Sequence, residues 1–129
     1  MNYRDLNGAA LAYLGDAVFE LAARKRLIES GITDIGKLNE MARKYVTATA
    51  QSDALDNILP ILTEQEDSVY KLGRNTHTAT VPKSAKAGQY RRATGLEALF
   101  AYLYLNGEND RITELFNLAF PENESEEKL

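Results

Sequence analysis

Apolar residues along this chain recur at steps of three, four and seven, and no segment alternates with period two long enough to predict a strand. Leu11, Leu14, Val18, Leu21 and Ile28 carry the helical period through a first helix predicted from about Ala9 to Glu29, which Ser30-Gly31 stops. A second helix is predicted after Thr33-Asp34, through Leu38, Met41, Tyr45, Val46 and Leu55, with Pro60 ending it. Thr63-Glu64-Gln65-Glu66 reads as a capping box opening a short third helix with Val69, Tyr70 and Leu72, closed at Gly73. A loop from Arg74 to about Tyr90 is rich in Thr, Ser, Lys and Gly. A very apolar fourth helix follows from about Arg92 to Leu105 and ends at Asn106-Gly107. Asn109 or Asp110 then starts a last helix through Ile112, Leu115, Phe116 and Leu118. The expected class is all-α, a bundle of about five to seven helices over residues 1–120, with residues 121–129 an acidic disordered tail.

Two carboxylates break the pattern. Leu11, Leu14, Val18 and Leu21 form one face of the first helix, yet Asp16 on the opposite side stands among Ala9, Ala12, Phe19 and Ala23. From Ala93 to Leu105 the only charge is Glu97, among Ala93, Thr94, Ala98, Ala101 and Tyr104. Each acid has an interior glycine close by, Gly15 and Gly95, and glycine within a helix costs roughly 1 kcal/mol against alanine. Both glycines are therefore expected to serve close backbone approach. A partly buried carboxylate needs a partner, because desolvation otherwise raises its pKa. Two readings meet that need: the acids share a hard cation such as Mg²⁺, or each forms a buried salt bridge with an arginine.

Composition narrows the chemistry. With no cysteine and one histidine, disulfides, thiolate sites and histidine-rich metal clusters are excluded. The 129 residues suit one domain with a single core. No charged leader precedes an apolar stretch and no long apolar run occurs, so a cytoplasmic setting without a membrane partner is expected. The net charge of −4 argues at first against nucleic acid, but it conceals an asymmetry. Residues 71–92 carry Lys71, Arg74, Lys83, Lys86, Arg91 and Arg92 with no acid, a charge of +6 against −10 elsewhere. Asn75, Thr76, His77, Thr78, Thr80 and Ser84 add hydrogen-bonding groups suited to phosphate and sugar. A solvated basic loop is the plainer reading of the same window, and His77 is a phosphate donor or a loop residue rather than a general base. Arg24-Lys25-Arg26 and Arg43-Lys44 are expected on solvated helix faces.

The stretch Ala10-Leu11-Ala12-Tyr13-Leu14-Gly15-Asp16-Ala17-Val18-Phe19 resembles the ribonuclease III signature, whose centre reads L-E-[FY]-[LI]-G-D-[AS]. Thr94-Gly95-Leu96-Glu97-Ala98-Leu99-Phe100-Ala101 resembles that family's second acidic motif, D-x-x-E-A-x-x-G-A. To about Phe120 the chain looks like the compact, catalytic-domain-only branch called Mini-ribonuclease III. The Leu6-Asn7-Gly8 lead-in, the Leu72-Gly73-Arg74-Asn75 turn and the Tyr90-Arg91-Arg92-Ala93-Thr94 run fit it too.

The resemblance implies a homodimeric endoribonuclease that cleaves double-stranded RNA with Mg²⁺, or Mn²⁺ in its place, leaving 5′-phosphate ends. It makes Asp16 and Glu97 the catalytic and metal-binding acids, with Thr94 as a further contact through water. It places Tyr13 at the aromatic position that packs into the partner subunit. The basic residues Lys71, Arg74, Lys83, Lys86, Arg91 and Arg92, with Asn75 and His77, would hold the duplex. The branch is implicated in maturing precursors of large-subunit (23S) ribosomal RNA, with a ribosomal protein as an accessory partner, and it lacks a separate RNA-binding domain. Full-length family members carry further acids where this chain has Ala12, Thr94 and Ile35. That leaves open whether one or two metals bind. The competing expectations are a non-catalytic RNA-binding dimer of the same fold and a purely structural helical dimerisation module.

Overall fold

The computed structural model describes residues 5–76 and 86–122. His77, Lys83 and the end of the acidic tail lie outside the described residues. Among the described residues six α-helices follow one another: α1 Gly8–Glu29, α2 Ile35–Val46, α3 Ala48–Leu55, α4 Glu64–Arg74, α5 Ala87–Leu105 and α6 Asn109–Ala119. A 3₁₀ turn, Leu59–Ile61, joins α3 to α4, and no strand occurs among the described residues. The all-α expectation holds.

Several boundaries shift. The predicted second helix is two, because Thr47 leaves the helix at ψ 151° and its side chain accepts from the Ala50 amide, capping α3. Gly73 does not close α4; it lies inside the last turn, which runs on to Arg74. The fourth predicted helix begins at Ala87 rather than near Arg92, shortening the loop. The stops after α1 and α5 are as expected, with Gly31 at φ 95° and Gly107 at φ 69°, where a side chain would be strained.

α5 is the central helix, packed against α1, α3, α4 and α6. That position explains its apolar girth: Leu96, Leu99, Phe100 and Leu103 face different neighbours, and all are fully buried. Phe19 of α1 meets Phe100 at 5.1 Å and Phe116 at 5.5 Å between ring centroids, with Tyr45 and Phe120 extending the stack. Burying each such ring or leucine contributes roughly 1.5–3 kcal/mol. A smaller cluster of Leu11, Val69, Ala98 and Ala101 joins the first half of α1 to α4 and α5.

The buried face of α1 is Leu11, Gly15, Val18, Phe19, Ala23 and Leu27. Leu21 and Ile28, expected on that face, are instead exposed. The wheel drawn through Leu21 is thus rotated toward Phe19 and Ala23. Arg26 also departs from the solvated face expected of it. Its guanidinium lies 4.8 Å from the Phe116 centroid and donates to the Phe120 carbonyl and to Asn117.

The capping box of α4 forms as predicted. Glu66 accepts from the Thr63 amide at 2.9 Å, and the Glu66 amide donates to the Thr63 hydroxyl. The same carboxylate takes Nε and a terminal nitrogen of Arg111 at 2.9 and 2.8 Å, fastening α6 to α4. Those bonds from Arg111 hold the Glu66 carboxyl below its usual range, against a smaller opposing effect of burial.

Candidate active site

Glycines set how closely the helices approach. A β-carbon built on Gly15 would stand 1.7 Å from the Glu97 carbonyl oxygen, so α1 and α5 touch backbone to backbone there. One built on Gly95 would meet the Tyr70 ring at 2.6 Å, and one on Gly73 would meet the Ala98 β-carbon at 2.5 Å. α1, α4 and α5 are therefore locked together over the stretch that carries both acids. The expectation that Gly15 and Gly95 serve close approach is met, and Gly73 joins them.

Asp16, one residue beyond Gly15, is brought to Glu97, close enough for their carboxyl groups to share a hydrogen bond. Asp16 is exposed rather than partly buried, whereas Glu97 is half-buried. Burial first, and then the hydrogen bond and charge of Asp16, push the Glu97 carboxyl up to about 8. Neither acid forms an ion pair among the described residues, so the buried-arginine reading is set aside. Two carboxylates pressed together without a base suit a hard divalent cation, which takes oxygen ligands and tolerates several waters. No third Asp, Glu or His completes a cluster among the described residues, so Asp16 and Glu97 are the carboxylates that would hold such a cation. Thr94 is buried one turn before Glu97, with its hydroxyl donating to the Tyr90 carbonyl at 2.9 Å.

The model of the ribonuclease III domain matches residues 9–108, a span that includes both acids and all three locking glycines. The chain belongs to the ribonuclease III family. It is an endoribonuclease of that family, as expected from the two motifs. It is similar to the Mini-ribonuclease 3 of Symbiobacterium thermophilum, 46% identical over 84% of each chain. The Mini-ribonuclease 3 of Enterococcus faecalis is 43% identical, covering 90% of this chain and 89% of that one. Among solved structures, a Fusobacterium nucleatum protein superposes with a TM-score of 0.79 at 34% identity, over 88% of this chain and 91% of the other.

Within this ribonuclease III domain the basic residues do not act alike. Lys71 pairs with Asp67 at 2.7 Å. Arg92 turns inward, donating to the Ser52 hydroxyl and carbonyl and to Asp56. Arg74, Asn75, Lys86 and Arg91 remain at the surface near the α4–α5 connection. Tyr13 is 83% exposed on α1, in line with Leu21 two turns on. Sequence reasoning missed Gly73 and Tyr70 as parts of the contact that locks α4 to α5. Gly73 looked like a helix stop, and the sequence carried no signal that it packs on α5. Among the described residues no helix is long and apolar enough to cross a membrane.

Proposed function

We propose that this endoribonuclease cuts double-stranded RNA with a divalent cation held between Asp16 and Glu97. The observation that carries the reading is the pairing of these two carboxylates, with no neutralising base among the described residues, across the Gly15–Glu97 backbone contact. The chemistry supplied by Mg²⁺, or Mn²⁺ in its place, is polarisation of the scissile phosphate and activation of the attacking water. Asp16 offers its carboxylate from the solvent side of α1, and Glu97 must lose the proton that burial, and then the pairing with Asp16, otherwise retain. Thr94, one turn away, contributes through water at most, since its hydroxyl hydrogen is engaged by its own helix. The products carry 5′-phosphate ends.

Arg74, Asn75, Lys86 and Arg91 are the surface groups that fit the backbone of a duplex, with His77 and Lys83 completing the stretch in sequence. An A-form duplex hides its deep groove, so such contacts read shape and 2′-hydroxyls more than bases. Two copies acting together, joined through α1 and Tyr13, would present one acid pair to each strand. The physiological substrate in this reading is a stem in a precursor of large-subunit ribosomal RNA, with a ribosomal protein presenting it in a cytoplasmic setting. A cleavage assay on duplex RNA, with and without Mg²⁺ and beside Glu97→Gln, tests the core of it. The wild type cuts only with the metal, and the variant loses at least about two orders of magnitude in rate. Full cleavage by Glu97→Gln would sink the assignment.

A further inference from the structure

Once Lys71 and Arg92 are tied to Asp67 and Asp56, two arginines of the basic stretch are left over, and they meet. Arg74, ending α4, and Arg91, early in α5, line one recess of about 280 Å³ with Asn75 and Thr76. Among the described residues no carboxylate lines it, and neither arginine has an ion pair.

Arg74 is held in place. Its guanidinium lies 5.6 Å from the Tyr70 ring centroid, and its Nε donates to Asn75 Oδ1 at 3.1 Å. Tyr70 is itself buried and wedged on Gly95. With Nε engaged, both terminal nitrogens of Arg74 have no hydrogen-bond partner among the described residues. The same bond orients the Asn75 amide, turning its NH₂ away from Arg74 as a further donor. Thr76 donates its hydroxyl to the Leu72 carbonyl at 3.0 Å and so supplies a wall rather than a donor. The recess is smaller than typical small-molecule sites of about 300–1,000 Å³. Its chemistry, two arginine forks and an amide donor with no acid, matches a phosphate group.

We propose that Arg74, Asn75 and Arg91 form a preformed seat for a single phosphate of the RNA backbone. The identity of the ligand as RNA rests on the function proposed above. Arg91 precedes Glu97 by about 9 Å along the helix axis, and Gly73 and Gly95 lock α4 to the same stretch of α5. A phosphate in the seat therefore fixes the path of a strand relative to the acid pair.

Two measurements test the seat. Inorganic phosphate titrated into the free protein shifts the side-chain Nε–H resonances of Arg74 and Arg91, and leaves those of Arg24, paired with Glu20, in place. Duplex affinity is then followed against salt in a Glu97→Gln background, where RNA is retained uncut. The double variant Arg74→Gln/Arg91→Gln lowers the log–log salt slope by about 0.9, the signature of one phosphate lost, while Lys25→Gln leaves it unchanged. Should Arg74→Gln not fold, Arg91→Gln alone, at an exposed position, lowers the slope and weakens the phosphate-induced shift at Arg74 several-fold. Unmoved arginine resonances, an unchanged slope, or a drop near two from separate phosphates overturns the seat. If the parent protein retains no duplex, the RNA reading fails, and the phosphate titration still decides the seat.

Discussion

Gly15 lies against the backbone of Glu97, so tightly that a single methyl group on it would fall 1.7 Å from the Glu97 carbonyl oxygen. The obstacle is helix backbone, which cannot swing aside as a side chain can. This contact, more than the acids themselves, sets the separation of Asp16 from Glu97.

The first prediction uses glycine-to-alanine substitution as a probe of that contact. Alanine is ordinarily the better helix former by about 1 kcal/mol. At Gly15 and Gly73 overpacking outweighs the gain, and each variant is less stable by about 2 kcal/mol or more. Gly88, in the first turn of α5, has nothing within 4 Å of an added β-carbon, so Gly88→Ala raises stability by roughly 0.5–1 kcal/mol. Chemical denaturation of the three variants checks the signs. Gly15→Ala also loses cleavage at temperatures where it remains folded, because the acid pair is parted; retained activity there contradicts the role given to the contact.

The second concerns pH in metal-free protein. The Glu97 carboxyl is raised from an ordinary 4.5 to about 8, chiefly by burial. A raised folded-state value means the neutral form is favoured by folding, so its stabilising contribution is complete below about pH 4.5. It is lost progressively as pH climbs through about 8. In EDTA the wild type therefore falls in stability between pH 5 and 9 more than Glu97→Gln does. Thermal melts of the two proteins across that range measure the difference, and parallel curves would show that the carboxyl titrates normally. A divalent cation reverses the trend, because it binds the ionised pair and displaces the proton.

Much of this was legible in the sequence, and the remainder has identifiable causes. The juxtaposition of Asp16 and Glu97 was one of two readings open to two isolated acids on helices apolar all round, each with a nearby glycine; separate arginine partners were the other. Which acid is buried did not follow, since a helical wheel gives directions but not neighbours; α5 turned out to be central and α1 peripheral. The break at Thr47 was masked because Tyr45, Val46 and Leu55 keep apolar spacing across it, although a threonine before Ala48 is a cap signal. The tie between Lys71 and Asp67 was readable at i,i+4 spacing. That between Arg92 and Asp56, 36 residues apart, was not. Charge counting could not separate a brace from a binding group.

Arg92 supplies the third prediction. Its guanidinium bonds the hydroxyl and carbonyl of buried Ser52 as well as Asp56, joining α5 to α3. Asp56 is largely exposed, so its charge adds little, and the two bonds to Ser52 dominate. Arg92→Ala lowers stability by about 1–2 kcal/mol, since it leaves polar groups of Ser52 without a partner. The salt slope of RNA binding stays where it was. A slope reduced by one, with stability intact, would return Arg92 to the RNA surface.

The last prediction concerns the exposed stripe on α1. Tyr13 at 83% and Leu21 at 65% exposure lie two helical turns apart on one side, with Ala17 between them. An aromatic ring and a leucine left in water forgo roughly 1.5–3 kcal/mol each, and a second copy would recover that. The stripe adjoins Asp16, so an interface there carries the acid pairs of both copies at its edge. Tyr13→Asp puts a charge into the apolar contact and sets a carboxylate beside Asp16 one turn on. Sedimentation velocity then shows a dimer for the wild type and a monomer for the variant, with helical content unchanged by circular dichroism. Cleavage falls with the dimer and returns in part at high protein concentration, as mass action requires. A wild type that sediments as a monomer at all concentrations would remove α1 as the dimer surface.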